Sequence, residues 1–483
     1  MKNKDRVLNI ISLAVIAVYS AVLLYFSRFS YIWYDESFTM NLVNHPVKDM
    51  IGLTALDVHP PLYYLVVKLF VSVLGPRTIA YHLPSLLFVI AILLETLLFL
   101  NKYADSKTAL FSMIGFICVP QIPKYALEIR MYSMCMFLIA SSVFLIFSML
   151  KDFEEKENVY FNAKWVLLAI LQTACAYTHY FGGVAAVGSS LAFLIFMLIK
   201  VKKPGRTFIF WFSYCFSMLI MYIPWIKVFF SQMSSVNEDY WIGPPSLSEM
   251  KSYFDEIFKT DSLILTVILV VLFVVGIVLS AVFAKKEELS LFAGISYITV
   301  GFWLLFGFGY SILVSPIIVS RYLVMLLAIL WLPALAVIVK NSHVAVTALM
   351  ILVMIFIGFK NTKPVLDDYK NSEQMYLRAY LDEHLDKEND AFFSFYMQDM
   401  SIQAAYYPGV TQYLLEGRDA GEAFKSWPLL VNCRFITDFN ELHEAPGVIW
   451  CQDGMFPGAF TDAGYSLEEV PVGNGILYRY YMD

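Results

Sequence analysis

The segment Tyr31-Ile-Trp-Tyr-Asp-Glu-Ser-Phe-Thr39 follows the first long apolar run of the chain and carries two adjacent carboxylates, Asp35 and Glu36. Acidic side chains beside a membrane span are costly to place, and nothing in the preceding run requires their charge. Aromatic residues typical of a headgroup interface surround the pair, namely Tyr31, Trp33, Tyr34 and Phe38. A carboxylate held there can meet a substrate whose lipid tail lies in the bilayer while its polar head lies outside.

The composition indicates an integral membrane protein. Of the 483 residues, 59% are hydrophobic and 15% are charged, whereas a soluble protein carries about 25% charged residues. The formal net charge of −6 is modest and argues against nucleic acid as a partner.

Twelve apolar runs divide the first three quarters of the chain. They cover residues 8–26, 62–75, 79–100, 109–122, 132–150, 165–178, 181–199, 208–226, 262–283, 289–312, 322–339 and 344–359. Each run is predicted to be helical, because a lipid-exposed backbone must satisfy its own hydrogen bonds and no alternating strand pattern is present. A span needs about 20 residues, and the run 62–75 is short and carries Lys68 in its middle.

The distribution of positive charge selects the topology. If residues 62–75 form an interfacial helix, the loops on the side of the N-terminus hold about 15 Lys and Arg in roughly 42 residues, and the opposite loops about 10 in roughly 115. This assignment predicts eleven spans with a cytoplasmic N-terminus, in a multi-pass protein of the cell membrane. Since residues 26–29 offer no cleavage site of small residues, the first run is predicted to remain as an anchor.

The predicted fold is an α-helical polytopic membrane domain over residues 1–360, with juxtamembrane helices in the first external loop. The more polar residues 361–483 are predicted to form a small extracytoplasmic α/β domain. Its expected helix covers 372–386, and strand-like runs cover 391–396, 429–436, 447–451 and 476–481. Cys433 and Cys451 lie in this domain, where they are either paired or separate.

The candidate catalytic residues are the two adjacent acids. Neighbouring side chains diverge on a helix or strand, so Asp35 and Glu36 are expected to have separate roles. One can accept a proton while the other binds a substrate or an ion. Alternatively, both are solvated acids that cap the turn after the first span.

A histidine in the same external segment is a candidate binding residue. The sequence Asp57-Val-His-Pro-Pro-Leu-Tyr-Tyr64 fixes the backbone with two prolines and leads into the interfacial helix. The imidazole of His59 can hydrogen-bond a phosphate, move a proton or ligate a metal. Equally, it can serve only as a helix cap.

The second external turn, Lys124-Tyr-Ala-Leu-Glu-Ile-Arg-Met-Tyr132, carries both signs of charge. The planar guanidinium of Arg130 suits a phosphate oxygen. The alternatives are that Glu128 and Arg130 neutralise each other, or that Arg130 reaches to lipid headgroups.

Two further turns complete the candidate site. The first contains His179 and Tyr180, and the second contains Arg321 and Tyr322 at the outer start of a span. A lone histidine in a tight turn is more often structural, but the turn of His179 is predicted to face the same cavity mouth as the first two turns. Arg321 is a further cation where a lipid phosphate would lie.

Together these motifs resemble the GT-C class of membrane glycosyltransferases that use polyprenyl-phosphate sugars. The resemblance is to the protein O-mannosyltransferase family (glycosyltransferase family 39) and its bacterial relatives, including the aminoarabinose transferases. It covers about residues 1–340, and its most specific elements are Asp35-Glu36, His59 to Tyr64, and Glu128 to Tyr132.

The resemblance implies a membrane enzyme that moves a hexose or pentose from a polyprenyl-phosphate donor to a hydroxyl on a protein, lipid or cell-wall polymer, outside the cytoplasm and with inversion. It implies that Asp35 is the catalytic base and that Glu36, Glu128 and Arg130 are active-site residues. A need for a divalent cation stays open. The aminoarabinose branch has an acidic residue and Lys where this chain has Val58 and His59, which argues against a metal site of that type.

Two other classes of function fit parts of the sequence. A transporter or flippase of a lipid-linked saccharide would carry charges deep within its spans and related halves, and neither pattern is present. A receptor-like sensor would rest only on the external C-terminal domain.

Overall fold

The computed structural model describes residues 3–29, 31–155, 161–201, 204–238, 242–243, 245–284, 288–415, 432–444, 447–452, 454–455 and 457–482. The helices are α1 Asn3–Phe26, α2 Tyr34–Asn44, α3 Val47–Leu56, α4 Leu62–Leu74, α5 Thr78–Tyr103, α6 Ser106–Ile117, α7 Ile122–Leu127, α8 Tyr132–Glu155, α9 Ala163–Thr178, α10 Tyr180–Lys200, α11 Pro204–Glu238, α12 Leu247–Phe258, α13 Leu263–Val282, α14 Leu289–Leu313, α15 Leu327–Asn341, α16 Val344–Asn371, α17 Glu373–His384, α18 Met397–Tyr406 and α19 Pro457–Asp462. The strands are β1 Ala391–Ser394, β2 Thr411–Leu415, β3 Cys433–Ile436, β4 Ile449–Cys451, β5 Ser466–Val472 and β6 Gly475–Tyr481.

The predicted helical membrane fold is confirmed, with fewer long spans than expected. Within the described ranges, nine helical segments are long and apolar enough to cross a bilayer; they contain α1, α5, α8, α10, α11, α13, α14, α15 and α16. The other two predicted spans correspond to α6, with 12 residues, and α9, with 16 residues. At 1.5 Å per residue, these helices extend for about 18 and 24 Å, short of a hydrocarbon core of about 30 Å.

The first external loop contains the three short helices α2, α3 and α4. Helix α4 contains the run with Lys68, and it has one buried face and one exposed face. Tyr63 and Tyr64 are fully buried, whereas Leu69 and Val73 are exposed. The Lys68 ammonium donates to the carbonyl oxygen of Val43 at 2.7 Å, in the last turn of α2. This pattern fits the predicted interfacial helix.

The interior of the membrane domain is closely packed around α15. Every residue from Leu327 to Val339 is buried, and α15 contacts α6, α8, α13 and α14. Three tryptophans of the membrane domain are completely buried, namely Trp165 on α9, Trp303 on α14 and Trp331 on α15 itself. Helix α13 approaches α15 closely at Gly276, as small residues allow between membrane helices.

The C-terminal part forms a six-stranded sheet in the order β3-β2-β1-β4-β6-β5. Strands β1 to β4 are parallel, and β5 and β6 form an antiparallel hairpin. Helix α17 lies at the predicted place, whereas β2 and β5 were not expected. Residues 429–431 of one predicted strand lie outside the described residues. The predicted domain boundary at residue 360 falls inside α16.

The sheet order decides the question of a disulfide. Cys433 is on β3 and Cys451 is on β4, so β2 and β1 lie between them. Three strand spacings are about 14 Å, whereas a disulfide needs Cα atoms within about 7 Å. The two cysteines therefore cannot form a bond with each other in this fold.

The contact at Gly276 generates a prediction about packing. In Gly276→Ala, the new Cβ would lie 2.5 Å from the Ala334 Cβ and 2.7 Å from its Cα. Because a backbone atom must move, we expect the variant to unfold at a lower temperature, with a loss of about 1–3 kcal/mol. Thermal unfolding of the purified protein in detergent measures this loss.

Gly301→Ala is the matched control, since a Cβ at Gly301 has no heavy atom within 4 Å. It is expected to be neutral or to stabilise α14 by about 0.5–1 kcal/mol. Equal melting temperatures for the two variants would contradict the close approach of α13 and α15.

Candidate active site

Helix α2 places the two predicted acids in its first turn, and their side chains point to different partners. Glu36 is 1% exposed. Its Oε2 accepts a hydrogen bond from the Trp33 backbone N–H at 3.1 Å, and its Oε1 accepts one from the Ile129 N–H at 2.7 Å. Glu36 therefore caps α2 and joins it to the loop that contains Arg130.

Asp35 faces two guanidinium groups that come from distant parts of the sequence. Its Oδ2 is 3.3 Å from Nη2 of Arg321 and 3.8 Å from Nη2 of Arg130. Nη1 of Arg130 also donates to the Asp35 backbone oxygen at 3.0 Å. The side chains of Asp35, Arg130 and Arg321 are 20%, 4% and 23% exposed, so these charges meet at the edge of the interior.

Neighbouring elements hold both arginines in place. Arg130 lies in the loop between α7 and α8, where its carbonyl oxygen accepts from the Ser85 hydroxyl of α5 at 3.2 Å. The guanidinium of Arg321 lies 5.4 Å from the centre of the Trp33 ring, which is a cation–π distance.

Glu128 lies in the same loop but makes no hydrogen bond through either carboxyl oxygen within the described part of the chain. Burial raises its pKa to about 7, although Lys124 and Arg130 act in the opposite direction. Burial also raises the pKa of Glu36, and the carboxyl of Glu128 adds to that effect. Because both carboxyls are buried and close enough to interact, the ionisation of Glu36 and Glu128 at the same time is unfavourable.

His59 forms a pair with a carboxylate that the sequence analysis did not single out. Its Nδ1 lies 3.0 Å from Oδ2 of Asp57. Burial opposes the ionisation of Asp57, but the nearby imidazole outweighs it, and the pKa of Asp57 is lowered. The spacing Asp-x-His was the available signal for this pair.

His179 is a buried, neutral histidine at the start of α10. Its Nδ1 accepts from the Phe181 backbone N–H at 3.1 Å, so its proton lies on Nε2. Burial lowers its pKa, and the positive charge of the neighbouring arginines adds to this effect. Its ring centre is 4.6 Å from that of Tyr322 and 5.6 Å from that of His59.

Four buried donors around the arginines have no hydrogen-bond acceptor among the described residues. They are the Tyr64 hydroxyl, Nε of Arg130, the Tyr132 hydroxyl and Nε2 of His179. Tyr64 and Tyr132 both interact electrostatically with Arg130, and His179 does so with both arginines. Unpaired buried donors are unfavourable, and an anion would satisfy several of them at once.

A cavity of about 460 Å³ adjoins this cluster. His59, His179, Tyr180 and Tyr322 line its polar end. Apolar side chains of α10, α11 and α14 form most of its wall, including Val184, Val187, Met218, Leu219, Phe302 and Phe306. The cavity thus combines an apolar channel between helices with a polar end beside the arginines.

Two of the predicted binding residues lie apart from the arginine cluster. Lys124 is exposed, and its ammonium lies 5.0 Å from the centre of the Tyr125 ring. Tyr180 lines the cavity, but its hydroxyl is already used, because it donates to Gln232 and accepts from Trp225. No group of three or more His, Cys, Asp or Glu side chains that could hold a metal ion is found in the described ranges.

The overall architecture is that of a GT-C polytopic membrane protein. The solved structures that resemble this chain include ArnT from Cupriavidus metallidurans, an aminoarabinose transferase, in the apo state. That structure has a TM-score of 0.66 and 10% sequence identity, over 97% of this chain and 97% of ArnT. The structure of the same protein bound to undecaprenyl phosphate has a TM-score of 0.65, with 10% identity over 98% and 97% of the two chains.

The TM-scores establish a shared fold, and at 10% identity the comparison establishes the fold alone. The likeness extends through the C-terminal domain, beyond the residues 1–340 over which the motifs predict it. No family model matches the sequence, and no curated protein matches it.

The raised pKa of Glu128 generates a prediction about stability and pH. Its carboxyl has a pKa of about 7 in the folded state and an ordinary value of 4.5. Between these values the folded state binds more protons than the unfolded state, so the free energy of unfolding falls as the pH rises from about 4.5 to 7. Glu128→Gln removes this fall. We therefore expect the difference in melting temperature, Glu128→Gln minus parent protein, to be larger at pH 8 than at pH 5.

Glu383→Gln is the control for this comparison, because Glu383 is exposed on α17. Its melting temperature should follow that of the parent protein at both pH values. The assignment to Glu128 would be wrong if the parent and Glu128→Gln curves of melting temperature against pH were parallel.

Proposed function

We propose that this protein is a membrane glycosyltransferase that moves a sugar from a polyprenyl-phosphate donor to an acceptor hydroxyl. The observation that carries the proposal is the group of unpaired buried donors beside two arginines at the polar end of an apolar cavity. A phosphate can accept hydrogen bonds from these donors, and a polyprenyl chain can lie along the apolar wall.

The solved relative supports the choice of the lipid. ArnT has the same fold and is known with undecaprenyl phosphate bound. In the present chain, Arg130 and Arg321 are the proposed partners of the phosphate, together with the Tyr132 hydroxyl and Nε2 of His179. His59 also lines the polar end of the cavity, and its imidazole, which pairs with Asp57, is proposed to contact the phosphate there.

The proposed reaction is a single displacement with inversion at the anomeric carbon. The acceptor oxygen attacks that carbon, and the bond from the carbon to the phosphate oxygen breaks. The electron pair leaves with polyprenyl phosphate, while the hydroxyl proton passes to the Asp35 carboxylate. The two guanidiniums stabilise the negative charge that develops on the departing phosphate.

The other acids of the site are proposed to act differently from Asp35. Both oxygens of Glu36 accept backbone hydrogen bonds, which favours a positioning role over direct catalysis. Glu128 is proposed to lie near the bound donor, where its carboxyl can donate a hydrogen bond when protonated. Lys124 is proposed to attract the donor or acceptor to the surface of the site.

The proposed orientation follows the charge distribution of the loops. The N-terminus would lie in the cytoplasm, and the site and the C-terminal domain on the opposite face. Accessibility labelling of single cysteines at the exposed positions 49 and 124, in the loop that carries Asp35 and in the helix before Arg130, tests this orientation, since both must react from the non-cytoplasmic face with a reagent that cannot cross the membrane. Labelling from opposite faces would exclude a shared reaction centre.

The catalytic base generates the first functional prediction. Asp35→Asn keeps the size of the side chain but removes the proton acceptor, so transfer is expected to be abolished while the protein stays folded and inserted. The assay supplies purified protein in liposomes with a panel of labelled polyprenyl-phosphate sugars and with a membrane and cell-wall extract as the source of acceptor hydroxyls, and it measures released polyprenyl phosphate.

Asp49→Asn is the matched control, because Asp49 is an exposed acid of the same external loop. It should retain the rate of the parent protein. Full activity of Asp35→Asn would refute the role of Asp35. A parent protein that moves the donor across the bilayer without releasing polyprenyl phosphate would support a carrier instead.

The donor phosphate generates the second functional prediction. Arg130→Ala removes a buried guanidinium, and we expect binding of undecaprenyl phosphate to weaken by about 10- to 100-fold, since a charge-assisted contact contributes about 1.5–3 kcal/mol. Titration of the purified protein with undecaprenyl phosphate measures the dissociation constant.

The control for this titration is Arg77→Ala, at an exposed arginine before α5. It should bind the lipid as the parent protein does. An unchanged dissociation constant for Arg130→Ala would assign Arg130 to structure alone.

A further inference from the structure

The C-terminal domain contacts the segment around Asp35 at two places, one before α2 and one within it. Before α2, the side-chain amide of Gln374 in α17 bonds both backbone groups of Ile32. It accepts from the Ile32 N–H at 3.0 Å and donates to the Ile32 oxygen at 2.7 Å. Within α2, Ser37 and Asn41 contact Ser401 of α18.

The contacts around Ser401 form a chain of hydrogen bonds with a defined direction. The Asn41 side-chain amide donates to the backbone carbonyl oxygen of Ser401 at 2.9 Å, and it lies 3.3 Å from the Ser401 hydroxyl oxygen. The Ser37 hydroxyl donates to the Tyr34 carbonyl oxygen at 2.6 Å, so its only proton is used there. Ser401 must therefore donate to Ser37 in their 2.7 Å contact. The chain ends on the peptide bond that immediately precedes Asp35.

The position of α2 depends on such contacts because the helix is weak by itself. It has 11 residues, and an isolated helix of fewer than about 12–15 residues is marginal in water. Trp33 precedes its first turn and offers no side-chain oxygen as a cap, so the Glu36 carboxylate supplies the hydrogen bond at this end of the helix. The two contacts with the C-terminal domain lie on either side of Asp35 in the sequence.

The interface is also buried. Ser37 and Ser401 are completely buried, and Asn41 is 5% exposed. Tyr406 supports the first contact, because its hydroxyl donates to Oε1 of Gln374 at 3.1 Å. Buried hydrogen bonds of this kind hold a single geometry, since breaking one leaves an unpaired polar group.

We propose that Gln374 and Ser401 of the C-terminal domain are positioning residues that hold the Asp35 carboxylate opposite the two arginines. The effect on catalysis rests on the proposed function, whereas the effect on α2 does not. The domain thus completes the active site through α2 without contacting the reacting atoms.

The experiment compares the full-length protein with Gln374→Leu/Ser401→Ala, which removes the bonds that the Gln374 and Ser401 side chains make and leaves only the bond from the Asn41 amide to the backbone carbonyl oxygen of residue 401. Hydrogen–deuterium exchange of residues 34–44 reports the mobility of α2. The exchange is expected to rise at least about tenfold in the double variant. With an active donor from the panel, kcat is expected to fall roughly 10- to 100-fold, while binding of undecaprenyl phosphate stays within about twofold.

The matched control is Gln403→Leu, which removes a hydrogen bond from Ser394 inside the C-terminal domain, on the same helix as Ser401. It should leave the exchange of α2 unchanged. A cycle of Ser37→Ala, Ser401→Ala and the double variant gives the coupling of the two hydroxyls. Ser37→Ala/Ser401→Ala is expected to lose less free energy of unfolding than the sum of the losses in the two single variants.

Each outcome decides the proposal. Unchanged exchange of α2 in Gln374→Leu/Ser401→Ala overturns it, and so does an equal rise in Gln403→Leu, which would indicate a general loosening of the domain. Faster exchange with an unchanged kcat overturns the positioning of Asp35. If the parent protein transfers no sugar at all, the proposed function fails, and the exchange data still decide whether the C-terminal domain holds α2.

Discussion

The arrangement of three charges at the edge of the membrane domain constrains the rest of the structure. Ionised groups are unfavourable near a bilayer unless they are paired, and Asp35 faces both Arg130 and Arg321. These residues come from the first external loop, the turn before α8 and the turn before α15. The helices that carry them must therefore keep one relative position, and the packing around the buried α15 supplies it.

Helix α2 connects this charge cluster to both domains. On one side, Glu36 accepts hydrogen bonds from its own first turn and from the loop of Arg130. On the other side, Ser37 and Asn41 pack against the C-terminal domain. Because the likeness to ArnT covers nearly the whole of both chains, the C-terminal domain belongs to the shared architecture. A short helix between two such partners can present a carboxylate accurately even though it is weak alone.

Much of the fold and part of the site followed from the sequence. The apolar runs predicted the long helices, and the charged turns at their outer ends predicted that Asp35, Arg130 and Arg321 would meet. The short runs 109–122 and 165–178 were expected to cross the bilayer because they carry no charge in their interiors, whereas α6 and α9 are shorter than a full span, since apolar composition does not show where a helix ends between other helices. Lys124 is exposed in the turn of α7, and its role at the site stays a prediction. The contacts of Gln374 and Ser401 had no sequence signal, since a Gln or Ser in a polar segment resembles any surface residue.

The unpaired donors bear on the order of events under the proposed function. The Asp35 carboxylate faces two guanidiniums, while Nε of Arg130 and Nε2 of His179 have no acceptor within the described ranges. A phosphate that enters can satisfy those donors and share the guanidiniums, which leaves the carboxylate able to accept a proton from a hydroxyl. The donor is therefore expected to bind before the acceptor hydroxyl is activated. The same charges would then bind the departing phosphate and free the base, which links the lipid cavity to the chemistry at Asp35.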